Sequence, residues 1–168
     1  MLFRSNERGG IEADLTVTRL AENRFMVVTG SVPQTRDMAW LRRHTPDGAH
    51  CTAVDITSGL PMVAIMGPKS RALLEKLSGS DLSNAAFPFG TSREIEIGYA
   101  RVRASRITYV GELGWELYIP AEQVLDVFER LTEAGAEFGL KHAGYHADRK
   151  STRLNSSHVS ESRMPSSA

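Results

Sequence analysis

The 168-residue chain is long enough for one ordinary domain or two small lobes, and its 41 % hydrophobic content can close a core. Lys+Arg and Asp+Glu balance at 20 each, which removes the electrostatic basis for nucleic-acid binding, where clustered positive charge must meet phosphates. A single cysteine excludes an internal disulfide framework, and no apolar run nears the ~20 residues of a membrane-spanning helix.

In chain order, Leu15–Leu20 alternates apolar and polar residues and Phe25–Thr29 is a second apolar run. With Ala21-Glu22-Asn23 as the turn they predict a β-hairpin, opened by Gly9-Gly10. Gln34–His44 carries Met38, Trp40 and Leu41 on a loosely helical pattern that Pro46-Asp47-Gly48 ends. Cys51–Ile56 and Met62–Met66 are short apolar runs of strand type. Cys51 is expected as a small buried hydrophobe, in keeping with a reducing, intracellular setting. Gly67-Pro68 starts a helix whose buried face is Leu73, Leu74 and Leu77, and Gly79 stops it. Asp81–Thr91 reads as a loop.

Glu94–Tyr99 alternates strictly, with Ile95, Ile97 and Tyr99 on one side. Arg101–Tyr109 and Trp115–Ile119 are the next strands. Glu122–Ala134 is an amphipathic helix with Val124, Leu125, Phe128 and Leu131 as its stripe. The order from Met62 is strand, helix, three strands, helix. It predicts an α+β lobe, a mainly antiparallel sheet with helices on one face.

Two segments can carry chemistry. In the first, Gly9-Gly10 lets the backbone turn sharply and Asp14 follows at the edge of a strand; from spacing alone Asp14 is most simply a solvated carboxylate. The second is Tyr109-Val110-Gly111-Glu112-Leu113-Gly114-Trp115-Glu116-Leu117. Glu116 interrupts an apolar strand, and alternation puts it with Tyr118 on the face opposite Trp115, Leu117 and Ile119. That face is either wet or meets a ligand with donors, because a buried carboxylate needs hydrogen-bond partners. A pterin edge presents an N–H beside an NH₂, matched to two carboxylate oxygens. Arg101 and Arg103 read as one solvated strand face. His142 and His146 have i, i+4 spacing but no third ligand, so no metal is expected.

The segments NERGGIEADLTVTRL, RFMVVTG, MGPKSRALLEKL, DLSNAAFPFGTSREIEIGYARVRASRITYVGELGWELYIP and AGYHA resemble the folate-binding aminomethyltransferase family. That family includes the glycine-cleavage T-protein and the C-terminal domains of dimethylglycine and sarcosine dehydrogenases; the wording is closer to the dehydrogenases. The resemblance implies a fragment of a multi-lobe folate-binding fold, with residues 6–58 in a first lobe and 59–148 in a second α+β lobe. It implies tetrahydrofolate as ligand and an upstream flavin domain, holding FAD, as partner in cis in the parent protein. No nucleic-acid or membrane partner is implied. The setting would be cytoplasmic in a bacterium, or the mitochondrial matrix for a eukaryotic relative.

The resemblance also assigns roles. Asp14 matches a carboxylate near the N10 side of the folate, implicated as a base or orienting group. Glu116 matches the anchor of the pterin ring, Tyr109 the aromatic that opens the same motif, and Val28 a residue lining the folate pocket. Gly30 stands where T-proteins often carry Asn, and the arginine expected shortly after AGYHA, within a stretch like SLRxEKGY, is absent. Residues 149–168 resemble a translated sequencing adapter and residues 1–5 the end of its companion, so both are expected to lie outside the fold. The implied activity is capture of a one-carbon unit from oxidative N-demethylation. A folate-binding module without catalysis, of the kind that assists iron–sulfur assembly, and an inactive fragment are the alternatives.

Overall fold

A computed structural model describes residues 2–144, with side chains from Ser5 onward. The chain divides into two compact units, residues 2–55 and 56–144. His146 and the tail from 149 lie outside the described residues.

The first unit is a three-stranded antiparallel sheet, β1 (Leu2–Ser5), β2 (Ile11–Ala21) and β3 (Arg24–Thr29), followed by α1 (Gln34–Arg43). The predicted hairpin is present, with Ala21 facing Arg24 across Glu22-Asn23. Leu2–Ser5, read from sequence as outside the fold, runs along β2 as its outer strand. Helix α1 buries a carboxylate rather than its apolar residues. Asp37 is 6 % exposed and accepts hydrogen bonds from Thr29 Oγ1 and from Arg36 Nη2 at 3.0 Å. Arg36 Nη2 also donates to the Glu12 carbonyl at 2.8 Å, tying α1 to β2. The apolar run Cys51–Ile56 forms no strand and Cys51 is exposed. Hydrophobic character alone did not suffice there, because the run pairs with no neighbouring strand and its backbone stays unladdered.

The second unit holds β4 (Met62–Met66), α2 (Ser70–Leu77), β5 (Ser92–Ile97), β6 (Ala100–Ser105), β7 (Gly114–Tyr118) and α3 (Val124–Gly135). Its four strands run antiparallel in the order β4-β7-β6-β5. This is the α+β architecture that the element order predicts. Alternate residues of every strand enter one core: Ile65, Ile95, Ile97, Val102, Trp115 and Leu117 meet Leu73 and Leu74 of α2 and Val127 and Leu131 of α3.

Two strand ends and one helix stripe depart from the sequence reading. Tyr99 is 92 % exposed rather than aligned with Ile97. Ile97 pairs with Ala100, so Gly98-Tyr99 is a two-residue hairpin turn; Gly98, at φ 60, supplies the left-handed backbone such a turn demands. Strand β6 stops at Ser105, and residues 106–113 form a loop. In α3 the buried line is Val127, Leu131 and Gly135, with Val124 and Ala134 beside it. At 100° per residue Phe128 and Leu125 fall progressively off the centre of that line. They are 41 % and 65 % exposed, and the Phe128 ring stacks on His142. Helix α2 begins at Ser70, two residues after Pro68, which sits in the turn before it.

Candidate functional site

The face of the second sheet that points away from the helices is set by β7. Gly114, Glu116 and Tyr118 lie on it, while Trp115 and Leu117 are fully buried on the other side. Register extends the face sideways. Glu116 sits between Ala64 of β4 and Ser105 of β6, and Ser105 faces Ser92 of β5. The next row is Met62, Tyr118, Arg103 and Glu94. Glu116 is therefore a half-buried carboxylate flanked across the sheet by two small side chains, Ala64 and Ser105.

Its partner is Tyr118, whose hydroxyl donates to Glu116 Oε2 at 2.5 Å. That length is typical of O–H to carboxylate bonds, the stronger class. Among the described residues no other side chain is bonded to Glu116, so Oε1 keeps its full acceptor capacity. Tyr118 is 5 % exposed. Burial first, then the hydrogen bond to Glu116 and its charge, hold the phenol pKa far above its ordinary value. The Ser105 and Ser92 hydroxyls bond each other at 2.9 Å, and Arg103 is tied to Glu94 at 2.9 Å.

Gly114, the second glycine of the sequence motif, permits a close approach. A Cβ there would lie 2.8 Å from Met66 Cγ and 2.9 Å from the Ile65 carbonyl. The strand pair β4–β7 can thus close just beside Glu116. Tyr109 and Glu112 lie in the loop before β7, and both are exposed. Behind the sheet, Trp115 is overlaid by the guanidiniums of Arg71 and Arg106, each under 6 Å from its ring centroid. Desolvation, then the neighbouring charge of Arg71, lowers the Arg106 pKa. Both arginines donate to Asn84 Oδ1, at 2.6 and 2.7 Å, and so hold the long loop between α2 and β5 over the indole.

In the first unit, Asp14 is exposed and Val28 half-buried. Val28 pairs with Thr16, two residues along β2 from Asp14, so Asp14, Thr16 and Val28 share one sheet face. The structure thus groups Asp14 with Val28 in one unit, and Glu116 with Tyr109 on and just before one strand of the other. The residues that sequence reasoning left without a role are Asp37, buried mid-helix in a polar stretch that gives no signal, and Tyr118. Tyr118 was legible as sharing the Glu116 face, but not as its hydrogen-bond donor. A cavity of about 340 Å³ opens between the β4–α2 turn and residues 138–141; none of the sequence-predicted residues lines it. Among the described residues no cluster of His, Cys, Asp and Glu could hold a metal ion, and no helix is long and apolar enough to cross a membrane.

Comparison with known proteins adds the following. A family model described as the GCVT N-terminal domain matches residues 3–163. The chain is 44 % identical over 142 residues to a 4-methylaminobutanoate oxidase (formaldehyde-forming) of Paenarthrobacter nicotinovorans, covering 84 % of the chain and 17 % of that protein. It is 38 % identical over 159 residues to human mitochondrial sarcosine dehydrogenase, with the same two coverages. The chain thus spans about a sixth of the length of these relatives. Among solved structures, the heterotetrameric sarcosine oxidase from Corynebacterium sp. U-96 superposes with a TM-score of 0.64 at 17 % identity, over 79 % of this chain and 65 % of that one. That likeness is one of fold.

Proposed function

The chain belongs to the GCVT N-terminal domain family, the T-protein-like aminomethyltransferase family, and on that premise we propose that it is the folate-holding segment of an N-methyl amine dehydrogenase. The parent protein would oxidise an N-methyl amine in a flavin domain that binds FAD. The released one-carbon unit would be captured here as 5,10-methylenetetrahydrofolate. Tetrahydrofolate, when bound, supplies the two amine nitrogens that carry a carbon at the oxidation level of formaldehyde.

The observation that carries this reading is the state of Glu116: a half-buried carboxylate on the sheet face away from the helices, pinned through Oε2, free at Oε1, and bordered by Ala64 and Ser105. Small neighbours leave room for a flat ring beside the carboxylate. The carboxylate itself fits a ring edge that offers two parallel N–H donors. Glu116 would bind and orient the pterin, with Tyr109 and Val28 as further contacts of the folate. Asp14, exposed and bonded to no described side chain, would accept or relay a proton as the second C–N bond forms. Most of the acceleration would come from holding the reactants in place, which is worth several kcal/mol where the geometry is good.

The test separates the two half-reactions in the full-length parent. Asp14→Asn slows one-carbon transfer to tetrahydrofolate and leaves amine oxidation at the wild-type rate. Equal transfer rates in the two proteins would remove Asp14 from the chemistry.

A further inference from the structure

A glutamate has three side-chain torsions, and a carboxylate standing on a half-open sheet face would sample several orientations unless something aimed it. Tyr118 is placed to do so. It follows Glu116 by two residues on β7, so both side chains leave the same face. Its hydroxyl reaches back to Glu116 Oε2 at 2.5 Å. Its ring is itself fixed, at 5 % exposure, in the row between Met62 and Arg103. Arg103 is in turn tied to Glu94 on the next strand. Arg103 is the cross-strand neighbour of Tyr118, so the tied Arg103–Glu94 pair and the Tyr118–Glu116 pair lie side by side on the sheet.

We infer that Tyr118 is the positioning residue of the ligand site: its phenol occupies one lone pair of Glu116 Oε2 and turns Oε1 and the remaining lone pair of Oε2 outward as a matched pair of acceptors. The inference rests on the reading of Glu116 as the group that grips a folate. The raised pKa of the phenol means that it stays a donor, and never a competing anion, across the neutral and moderately alkaline range. Tyr118 does not need to touch the ligand.

The experiment is calorimetric titration of the full chain with tetrahydrofolate and with its 2-desamino analogue, which lacks the NH₂. Tyr118→Phe keeps the ring and removes the donor. Its tetrahydrofolate affinity falls about tenfold, in line with loss of a hydrogen bond to a charged group, while its affinity for the 2-desamino analogue, which keeps one donor to the carboxylate rather than two, falls by less. Equal losses for both ligands would make Tyr118 a packing residue and overturn the inference, as would no loss at all. In a Glu116→Gln background, Tyr118→Phe costs nothing further; an undiminished tenfold loss there would also overturn it. If wild type and Glu116→Gln bind tetrahydrofolate equally, absence of binding included, the folate reading falls and takes this inference with it. If only the Tyr118 arms fail, the folate reading stands.

Discussion

The two sheets of the chain are written in the same alternating code but close to very different degrees. In the second unit one face of all four strands is sealed by α2 and α3, and Trp115, Phe87, Leu117 and Val102 are fully buried. In the first unit only Ala13, Met26 and Asp37 are buried among the described residues, while Ile11, Val17, Phe25 and Val27 remain 37–54 % exposed. Alternation tells which side chains share a face. It does not tell whether anything covers that face. Hydrophobic stabilisation scales with the apolar area removed from water, so the energetic weight of the described residues lies in 56–144.

The contrast can be broken first at its strongest point. Trp115→Ala removes an indole that packs edge-on against Phe87, with ring centroids 6.1 Å apart. It should cost the second unit about 3–5 kcal/mol, read as a fall in the urea midpoint. A loss under about 1 kcal/mol would mean that this core is not the main source of stability. Its counterpart in the first unit, Val27→Ala, should cost less than about 1 kcal/mol by the same measurement, because the side chain is already 40 % exposed.

A smaller effect sharpens the account of the site itself. The folded-state pKa of Tyr118 is raised, because burial and Glu116 both disfavour the phenolate. The unfolded chain therefore ionises first as pH passes about 10. The stabilisation linked to the buried phenol is complete below that pH and is lost as pH rises toward the folded value. Urea midpoints between neutral pH and pH 11 should fall more steeply for wild type than for Tyr118→Phe. Parallel curves would mean that the phenol is not protected.

Much of this was legible in the sequence. The strands of both hairpins and the shared face of Glu116 and Tyr118 follow from period-2 alternation, which fixes side-chain direction wherever a strand has a partner, and the two helices of the second unit follow from their apolar stripes and end signals. The misreadings have a common cause. The run from Cys51 to Ile56 looked like a strand, but strand formation depends on a neighbour that local composition cannot supply. Tyr99 kept the alternation in sequence yet falls in the turn that Gly98 creates. Leu125 and Phe128 lay near the stripe of α3, but its axis is set by what Val127 and Leu131 pack against. Asp37 had no periodic signal because its burial follows from partners on another element, Thr29 above all.

Whether Glu116 grips a folate is read from the calorimetric affinity of the full chain for tetrahydrofolate, compared with that of Glu116→Gln. The wild-type chain should bind saturably and the variant lose at least tenfold, since an amide cannot accept two parallel donors. Equal affinities would contradict that grip, and would leave the Glu116–Tyr118 pair as a structural feature of the sheet.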